Sequence, residues 1–401
     1  MMEGFDPEKY RVPGILANGI SVGIKKNGGK DLALIYSERP AVADGVFTTN
    51  VFKAAPVLLD MERIKKGRAQ AILINSGNAN AATGDEGYAN ARAMSKFASE
   101  QMGIDDDLVM VSSTGVIGEP LPIGKIREGA ARLVQGLHPQ GLVMAQEAIM
   151  TTDRFPKMAL QKAHVGGMEV TICGLAKGAG MIEPNMATML SYIITDVAID
   201  QSLLKRIFRQ GVEKTYNAIS VDGCMSTNDT VLIMANGCAG NRTISSMGRD
   251  ALEFGEKLYL VMSELSKSIV RDGEGATKVI QILIRNARSR KEAKSLAYAI
   301  ANSNLVKTAF YGGDPNWGRI ISAVGSIGID LPAIRVEVAL EGIPIFRAGK
   351  GIAENEERIA AIMSRDEIKV ELNVNMGDKE FSMFTSDLTF DYVKINSHYR
   401  T

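Results

Sequence analysis

The chain has 401 residues, which is enough for two domains or one large composite unit. Lysine plus arginine and aspartate plus glutamate both number 46, so the formal net charge is zero, which excludes a strong electrostatic attraction to nucleic acid or to a membrane surface. Hydrophobic residues make up 45% of the chain, a proportion typical of a packed globular enzyme and not of a disordered protein.

The scarcity of cysteine and histidine limits the kinds of disulfide, metal site and catalytic base that the chain can contain. The three cysteines, Cys173, Cys224 and Cys238, are too few and too scattered for a disulfide framework, so we expect a reducing, cytoplasmic location. We expect no signal peptide, and no apolar run approaches the ~20 residues that span a bilayer. None of the three histidines stands at metal-ligand spacing, so we expect no metal site and a catalytic base other than histidine.

Helices and strands alternate through the first half of the chain. The segment 13–60 contains short apolar pieces punctuated by glycine and proline, which predicts strands and turns. Apolar residues at helical spacing predict helices at 86–102, where Gly103 follows as a stop, and at 123–134. Continuous apolar runs predict buried strands at 71–74, 108–111 and 170–173.

The second half continues the same mixture. Apolar runs predict strands at 189–197, 231–234, 278–285 and, at the end of the chain, 392–401. Helical spacing predicts helices at 201–217, 248–271, 290–302, 317–324 and 355–364. The sequence therefore predicts an α/β fold with layered mixed sheets, helices on the outside and no simple βαβ repeat.

The most informative segment is the run from Lys177 to Leu190, Lys-Gly-Ala-Gly-Met-Ile-Glu-Pro-Asn-Met-Ala-Thr-Met-Leu. Gly178 and Gly180 let the backbone turn tightly, and Thr188 follows just before an apolar strand. A threonine hydroxyl becomes an effective nucleophile when a base is adjacent, and cleavage before Thr188 would supply one as the freed α-amine of the same residue. The alternative is an ordinary glycine-rich loop that leads into a buried strand.

Three other polar positions each have a functional and a structural interpretation. At Thr114-Gly115, a hydroxyl and a backbone N–H beside glycine suit an oxyanion hole, and the alternative is a polar turn after a strand. Lys177 could fix a substrate carboxylate or lower the pKa of a nearby amine, or it could be a solvated surface lysine. Glu274, between two glycines, could pair with an ammonium group or lie exposed in a helix-to-strand turn.

Five separated segments together resemble the ornithine acetyltransferase family, also called glutamate N-acetyltransferases or bifunctional arginine biosynthesis proteins. They are Val-Ser-Ser-Thr-Gly around Thr114, Thr-Thr-Asp-Arg-Phe-Pro-Lys from Thr151, the Lys177–Leu190 run, Gly-Glu-Gly-Ala-Thr-Lys around Glu274, and the C-terminal stretch that ends at Thr401. The second segment is otherwise typical of a helix start, because threonine and aspartate are good N-caps. All five occur in the family's order and span essentially the whole chain.

The resemblance implies that the chain cleaves itself between Ala187 and Thr188. The products would be an α chain of residues 1–187 and a β chain of residues 188–401, which share one core. Thr188 is then the nucleophile, and as a free amine also the base. The resemblance assigns the oxyanion hole to Thr114 and Gly115. It assigns substrate binding to Thr151, Lys177, Thr188, Glu274, Asn396 and Thr401.

The implied reaction is transfer of the acetyl group from N2-acetyl-L-ornithine to L-glutamate in arginine biosynthesis, through an acetyl-Thr188 ester. The implied fold resembles the ornithine acetyltransferase/D-aminopeptidase-like fold, and the implied assembly is a heterotetramer of two α and two β chains. No metal or organic cofactor is implied, while acetyl-CoA is a candidate co-substrate. The alternatives are a self-cleaving amidohydrolase or aminopeptidase of related fold, and a metabolite-binding protein that remains uncut.

Overall fold

The computed structural model describes residues 6–183 and 189–398 of the chain. Its strands are, in chain order, β1 (Ile15–Ile20), β2 (Leu32–Phe47), β3 (Arg68–Asn78), β4 (Val109–Val116), β5 (Lys157–Val165), β6 (Met168–Lys177), β7 (Leu190–Thr195), β8 (Ile219–Ser220), β9 (Thr230–Ala235), β10 (Val279–Ala287), β11 (Glu337–Leu340), β12 (Ile343–Arg347), β13 (Lys350–Gly351), β14 (Glu367–Asn373) and β15 (Lys379–Ser386). Its helices are α1 (Ala55–Arg63), α2 (Gly84–Met102), α3 (Ile123–Gln135), α4 (Leu142–Ile149), α5 (Gln201–Lys214), α6 (Arg249–Arg271), α7 (Arg290–Ala301), α8 (Asn304–Tyr311), α9 (Trp317–Gly325), α10 (Glu356–Met363) and α11 (Phe390–His398).

The strands form two mixed sheets. The spatial order of the first is β4–β3–β2–β9–β7–β6–β5, with β1 beside β2. In this sheet β3–β4 and β7–β9 are parallel pairs, and the other neighbouring strands are antiparallel. The second sheet has the order β13–β12–β11–β14–β10–β15–β8, in which β10–β14 and β15–β8 are parallel. The predicted α/β fold with layered mixed sheets is thereby confirmed.

Continuous apolar sequence explains why the centre of the first sheet is covered on both faces. Every residue of β7 and β9 is buried, as expected for strands that lie between two layers. Helices α5 and α6 pack against one face, where Phe208 and Phe254 belong to the core. Helix α4 packs against the other face, and helices α1, α2 and α3 cover the part formed by β2, β3 and β4.

Alternating burial along its strands organises the second sheet. Along β10, Ile280, Ile282 and Ile284 are buried, while Gln281 and Leu283 on the opposite face are only partly buried. The buried face packs against α7, α9 and α10. Helix α6 contacts β5 and β6 of the first sheet as well as β10 and β15 of the second, so it joins the two sheets.

The first sheet contains strands from both sides of the segment 184–188, which the structure does not describe. Strands β1 to β6 precede this segment, β7 and β9 follow it, and Lys177 pairs with Leu190 in the β6–β7 register. One hydrophobic core likewise combines side chains of β6 with those of β7, β9, α5 and α6. Strands before and after the segment therefore depend on each other for burial. The predicted cleavage between Ala187 and Thr188 lies outside the described residues and stays a prediction.

Most of the predicted elements are present, with ends that differ by a few residues. The sequence patterns do not predict α1, α4 or α8, and α1 lies where strands and turns are expected. Each of these helices has only eight or nine residues, and over so few apolar positions periodicity is a weak guide to the type of element. The alternative of a helix start at Thr151 is wrong, because this residue lies in the loop between α4 and β5.

The predicted terminal strand at 392–401 is wrong for the residues that the structure describes there. Residues 390–398 form α11, in which the Asn396 side chain donates a hydrogen bond to the Tyr392 carbonyl, one helical turn earlier, at 3.0 Å. The apolar residues that predict a strand do not lie on a buried sheet face, because Val393 is 63% exposed. The helix instead places Tyr392 and Asn396, four residues apart, on one side.

The helices can be compared with the expectation that no segment spans a bilayer. None of those within residues 6–183 and 189–398 combines the length and the apolar character that crossing a bilayer requires.

The packing of α6 against the first sheet predicts that two substitutions on this helix change stability by unequal amounts. Phe254 is fully buried and Leu252 is 62% exposed. We expect Phe254→Ala to lower the free energy of unfolding by about 3–5 kcal/mol, because it removes buried surface and leaves a cavity. Leu252→Ala, the control, should change it by less than about 0.5 kcal/mol. Urea unfolding measures both, and equal midpoints for the two variants would contradict this packing.

Candidate active site

Six of the predicted site residues line one cavity. They come from five separate parts of the fold, namely the end of β4, the loop after α4, the last residue of β6, the α6–β10 loop and α11. They are Thr114, Gly115, Thr151, Lys177, Glu274 and Asn396. The other predicted residues, Ala187, Thr188 and Thr401, lie outside the described part of the chain. Polar groups that converge on a concave surface from distant parts of the sequence are typical of a substrate site.

Gly115 stands at a β-bulge between β3 and β4, where Thr114 is paired with both Ser76 and Asn78. The φ angle of Gly115 is +132°, and a Cβ atom added there would lie 2.3 Å from the carbonyl carbon of Gly77. No other residue fits this position without moving the neighbouring strand. The bulge also re-aims the local backbone, as bulges near active sites commonly do. Because residues 112–115 belong to β4, the alternative of a turn at Thr114-Gly115 is wrong.

The Thr114 hydroxyl is oriented by Lys177. The Lys177 ammonium donates a hydrogen bond from Nζ to Thr114 Oγ1 at 3.3 Å. An ammonium group has no acceptor, so it occupies a lone pair of the hydroxyl oxygen and leaves the hydroxyl hydrogen available. That hydrogen can be donated to an oxygen in the cavity, which is the property an oxyanion hole requires.

Lys177 is not the surface lysine of the alternative interpretation, since only 7% of it is exposed. Burial lowers the pKa of Lys177, and the nearby Lys157 lowers it further. The carboxylates of Asp153, Glu274 and Asp229 act in the opposite direction, but the net shift of the pKa is downward. The positive charge of Lys177 therefore depends on the acidic groups around it.

Glu274 lies against the loop that follows Lys177. Its backbone N–H donates to the Ala179 carbonyl at 3.0 Å, and its carboxylate accepts a hydrogen bond from Asn396 Nδ2 at 2.9 Å. A Cβ atom at Gly180 would lie 2.4 Å from Glu274 Oε2, so any larger residue at this position would displace the carboxylate. A largely buried carboxylate on the cavity wall, held by an amide donor, suits the binding of an ammonium group.

Asp222 is a cavity residue that the sequence analysis does not identify. Its carboxylate accepts hydrogen bonds from the backbone N–H groups of Met181 at 2.6 Å, Ile182 at 2.9 Å and Cys224 at 3.2 Å. Burial raises the pKa of Asp222, although these three donors oppose the shift. Met181 has a φ of +60°, which is strained for a residue with a side chain. Asp222 thus fixes the chain just before the segment 184–188.

Asn228 and Tyr392 also line the cavity without a signal in the sequence. Asn228 Nδ2 donates to the carbonyls of Ala79 at 2.6 Å and Ser113 at 2.8 Å, so it fastens the loop before β9 to the end of β4. Tyr392 lies on α11 beside Asn396. Glycine, serine and asparagine throughout 220–229 predict a turn there, but composition does not distinguish the side chains that face inward from those that face solvent.

Among the residues that the structure describes, no group of three or more histidine, cysteine, aspartate or glutamate side chains is placed to hold a metal ion. The expectation of a metal-free reaction stays a prediction.

Comparisons with known proteins agree on one family. The ArgJ family model matches residues 16–401. A curated relative from Geobacter sulfurreducens, named arginine biosynthesis bifunctional protein ArgJ, is 48% identical over 391 residues, covering 97% of this chain and 100% of the relative. The protein of the same name from Caldanaerobacter subterraneus subsp. tengcongensis is 46% identical over 404 residues, with both chains fully covered.

A solved structure gives a consistent result. The crystal structure of arginine biosynthesis bifunctional protein ArgJ from Bacillus halodurans is 39% identical to this chain and has a TM-score of 0.51. The match covers 53% of this chain and 100% of that one. The resemblance inferred from the five sequence segments is confirmed, and the chain belongs to the ArgJ family.

Proposed function

We propose that this chain transfers the acetyl group of N2-acetyl-L-ornithine to L-glutamate through an ester on Thr188. Membership of the ArgJ family makes the chain an acetyltransferase of arginine biosynthesis, and the proposal concerns how its own residues perform the transfer. The observation that carries it is the convergence of Thr114, Lys177 and Glu274 on one cavity, which Gly180 also borders. The nucleophile expected from the sequence follows eight residues after Gly180.

Self-cleavage is the step that prepares the nucleophile. The Thr188 hydroxyl oxygen attacks the carbonyl carbon of Ala187, the C–N bond breaks, and the acyl group moves to oxygen as an ester. Water then hydrolyses the ester, which leaves a carboxylate on Ala187 and a free α-amine on Thr188. An α-amine has an ordinary pKa of about 7.7–8.0, which suits a general base near neutral pH.

Acetyl transfer then proceeds in two half-reactions. The Thr188 hydroxyl attacks the acetyl carbonyl of N2-acetyl-ornithine while its α-amine accepts the hydroxyl proton. The Thr114 hydroxyl and the Gly115 N–H donate to the oxyanion of the tetrahedral intermediate. The proton passes to the leaving nitrogen, ornithine departs, and the α-amino group of glutamate attacks the acetyl ester in the reverse sequence. The ester conserves the acyl energy, so we propose that no ATP, metal or organic cofactor is needed.

The remaining residues are assigned to substrate recognition. Glu274 suits the side-chain ammonium of ornithine, because its carboxylate faces the cavity beside Asn396. Lys177 suits a substrate carboxylate, because it lines the same cavity and carries a buried ammonium that also binds Thr114. Thr151 lines the same cavity, and Thr401 completes the set by resemblance.

The arrangement of the first sheet is compatible with division of the chain at Thr188. Strands from both sides of the segment 184–188 build the first sheet, so the two products would stay together after cleavage.

The principal alternative is a self-cleaving amidohydrolase or aminopeptidase. Such an enzyme would share the threonine nucleophile and the oxyanion hole but would pass the acyl group to water. Measuring acetate separates the two reactions. Release of acetate at the same rate with and without glutamate supports the hydrolase, whereas acetylglutamate formation supports the transferase.

Three further properties belong to the proposal. Acetyl-CoA is a second candidate donor, and glutamate acetylation that continues without acetyl-ornithine would identify it. The expected assembly contains two α and two β chains, so its mass should be twice that of the 43.2 kDa precursor. The expected location is the cytoplasm, which agrees with three cysteines that are all free thiols.

Replacement of the nucleophile tests the proposal. We expect Thr188→Ala to remain a single chain and to lose acetyl transfer by at least about 10³-fold, because no other group replaces the hydroxyl. Thr188→Ser, the matched control, retains a hydroxyl and should still cleave and transfer. Denaturing electrophoresis and an acetylglutamate assay give both readouts. A Thr188→Ala protein that transfers acetyl at the wild-type rate would disprove the role of Thr188.

Enlargement of Gly180 tests the role of Glu274. We expect Gly180→Ala to raise KM for acetyl-ornithine about tenfold, because the new methyl group displaces the carboxylate that binds ammonium. Gly124→Ala is the control, since no atom lies within 4 Å of a Cβ atom at that position. Steady-state kinetics measures KM for acetyl-ornithine in both variants. An unchanged KM for Gly180→Ala would contradict a role of Glu274 in substrate binding.

A further inference from the structure

A cluster of three charged side chains lies buried behind the cavity. Lys157 Nζ donates to Asp153 Oδ1 at 2.6 Å and also to the Asp272 carboxylate, and all three side chains are 0% exposed. Asp153 and Asp272 are 119 residues apart in sequence, so Lys157 joins two distant segments. Burying ions is costly and adds little net stability on its own. The presence of this buried cluster is therefore better explained by the chain segments that it holds in place.

Asp153 holds two segments that carry substrate-binding residues. Its Oδ2 atom accepts a hydrogen bond from the Thr151 N–H at 2.8 Å. Its Oδ1 atom accepts one from the Gly178 N–H, also at 2.8 Å. The first bond fixes the turn that contains Thr151, and the second fixes the backbone immediately after Lys177. Hydrogen bonds from N–H groups to a carboxylate are stronger than those between neutral groups.

Asp272 holds the third segment. Its carboxylate accepts from the Arg154 backbone N–H at 3.0 Å and from Arg154 Nε at 3.0 Å. Asp272 ends helix α6 two residues before Glu274, whose own N–H binds the Ala179 carbonyl at 3.0 Å. The cluster and the loop after Lys177 thus hold the Glu274 segment from two directions.

We propose that Asp153, Lys157 and Asp272 form one positioning unit that fixes Thr151, Lys177 and Glu274 at the distances the substrate requires. The inference rests on the proposed function, because it takes these three residues as the substrate-binding set. None of the three charged residues lines the cavity. They are accordingly positioning residues, and substrate binds to the side chains that they hold.

Asp153 has a second effect, on the charge of Lys177. The titratable groups that act on Lys177 lie in four parts of the chain; they are Asp153, Lys157, Glu274, Asp229 and Lys25. Among the carboxylates, Asp153 opposes the burial-induced fall in the Lys177 pKa most strongly. The protonated form is present below the pKa and is lost as the pH rises through it. Neutralising Asp153 therefore lowers the Lys177 pKa further and moves the loss of positive charge to lower pH.

Two substitutions separate the effect of the unit on the position of the binding residues from its effect on the charge of Lys177. Asp272→Asn and Asp153→Asn each place an amide donor opposite groups that already donate, so each loosens the unit. We expect both to raise KM for acetyl-ornithine about tenfold to a hundredfold, because small displacements in a binding site have effects of this size. Asp153→Asn should in addition shift the alkaline limb of the kcat/KM pH profile to lower pH, and by more than Asp272→Asn does, because Asp153 is the carboxylate that most strongly supports the charge of Lys177.

A buried acidic residue elsewhere provides the control. Asp44 is 8% exposed and pairs with Arg209 Nε at 2.8 Å, away from the cavity. Asp44→Asn should destabilise the protein without changing KM or the pH profile. If Asp272→Asn does not fold, Arg154→Ala replaces it, because Arg154 is half-exposed and its loss removes one partner of Asp272 without burying an unpaired lysine.

The full chain is assayed with N2-acetyl-ornithine and glutamate, and acetyl on Thr188 is measured by mass in parallel. A raised KM for Asp272→Asn, or for Arg154→Ala in its place, supports the positioning unit if Asp44→Asn keeps the wild-type KM and pH profile. Wild-type KM and an unshifted pH profile in the cluster variants, in a protein that acetylates Thr188 normally, would overturn the inference and leave the proposed function intact. A wild-type protein that never acquires acetyl on Thr188 would overturn both.

Discussion

The buried positive charge of Lys177 is the constraint on which the arrangement of the site depends. An ammonium group removed from water must be compensated by hydrogen bonds and opposite charge, or it loses its proton. Thr114 accepts its hydrogen bond, and Asp153 and Glu274 supply nearby negative charge. These groups come from the end of β4, the loop before β5 and the loop after α6. Stabilising one ammonium group therefore draws three distant parts of the chain to the same cavity.

The close approach of these parts depends on backbone without side chains and on a shared sheet. Gly115 and Gly180 stand where a Cβ atom would collide with Gly77 and Glu274 respectively. The first sheet places β7 directly between β6 and β9, so residues before and after the segment 184–188 are adjacent in space. In such a fold a break in the chain at Thr188 would free an α-amine without separating the two halves of the core.

The sequence predicts the long elements and the cavity residues that lie in compact segments. Thr114, Lys177 and Glu274 each stand beside a glycine in the sequence, and resemblance supplies their roles. Asp222 and Asp272 are not predicted, because their partners are remote in sequence: Asp272 binds Arg154 across 118 positions. Helix α11 is mistaken for a strand because its short segment is rich in apolar residues, while contacts that join it to the site, such as Asn396 to Glu274, are long-range. Local pattern carries no information about such contacts.

Intact mass of the purified protein, before and after incubation with N2-acetyl-ornithine, tests the central claim most directly. The account predicts two fragments that meet at Ala187/Thr188. It also predicts that the C-terminal fragment gains about 42 Da, the mass of one acetyl group on the nucleophile, and loses it when glutamate is added. A single uncut chain with no adduct would contradict the mechanism, because neither the base nor the acyl intermediate would exist.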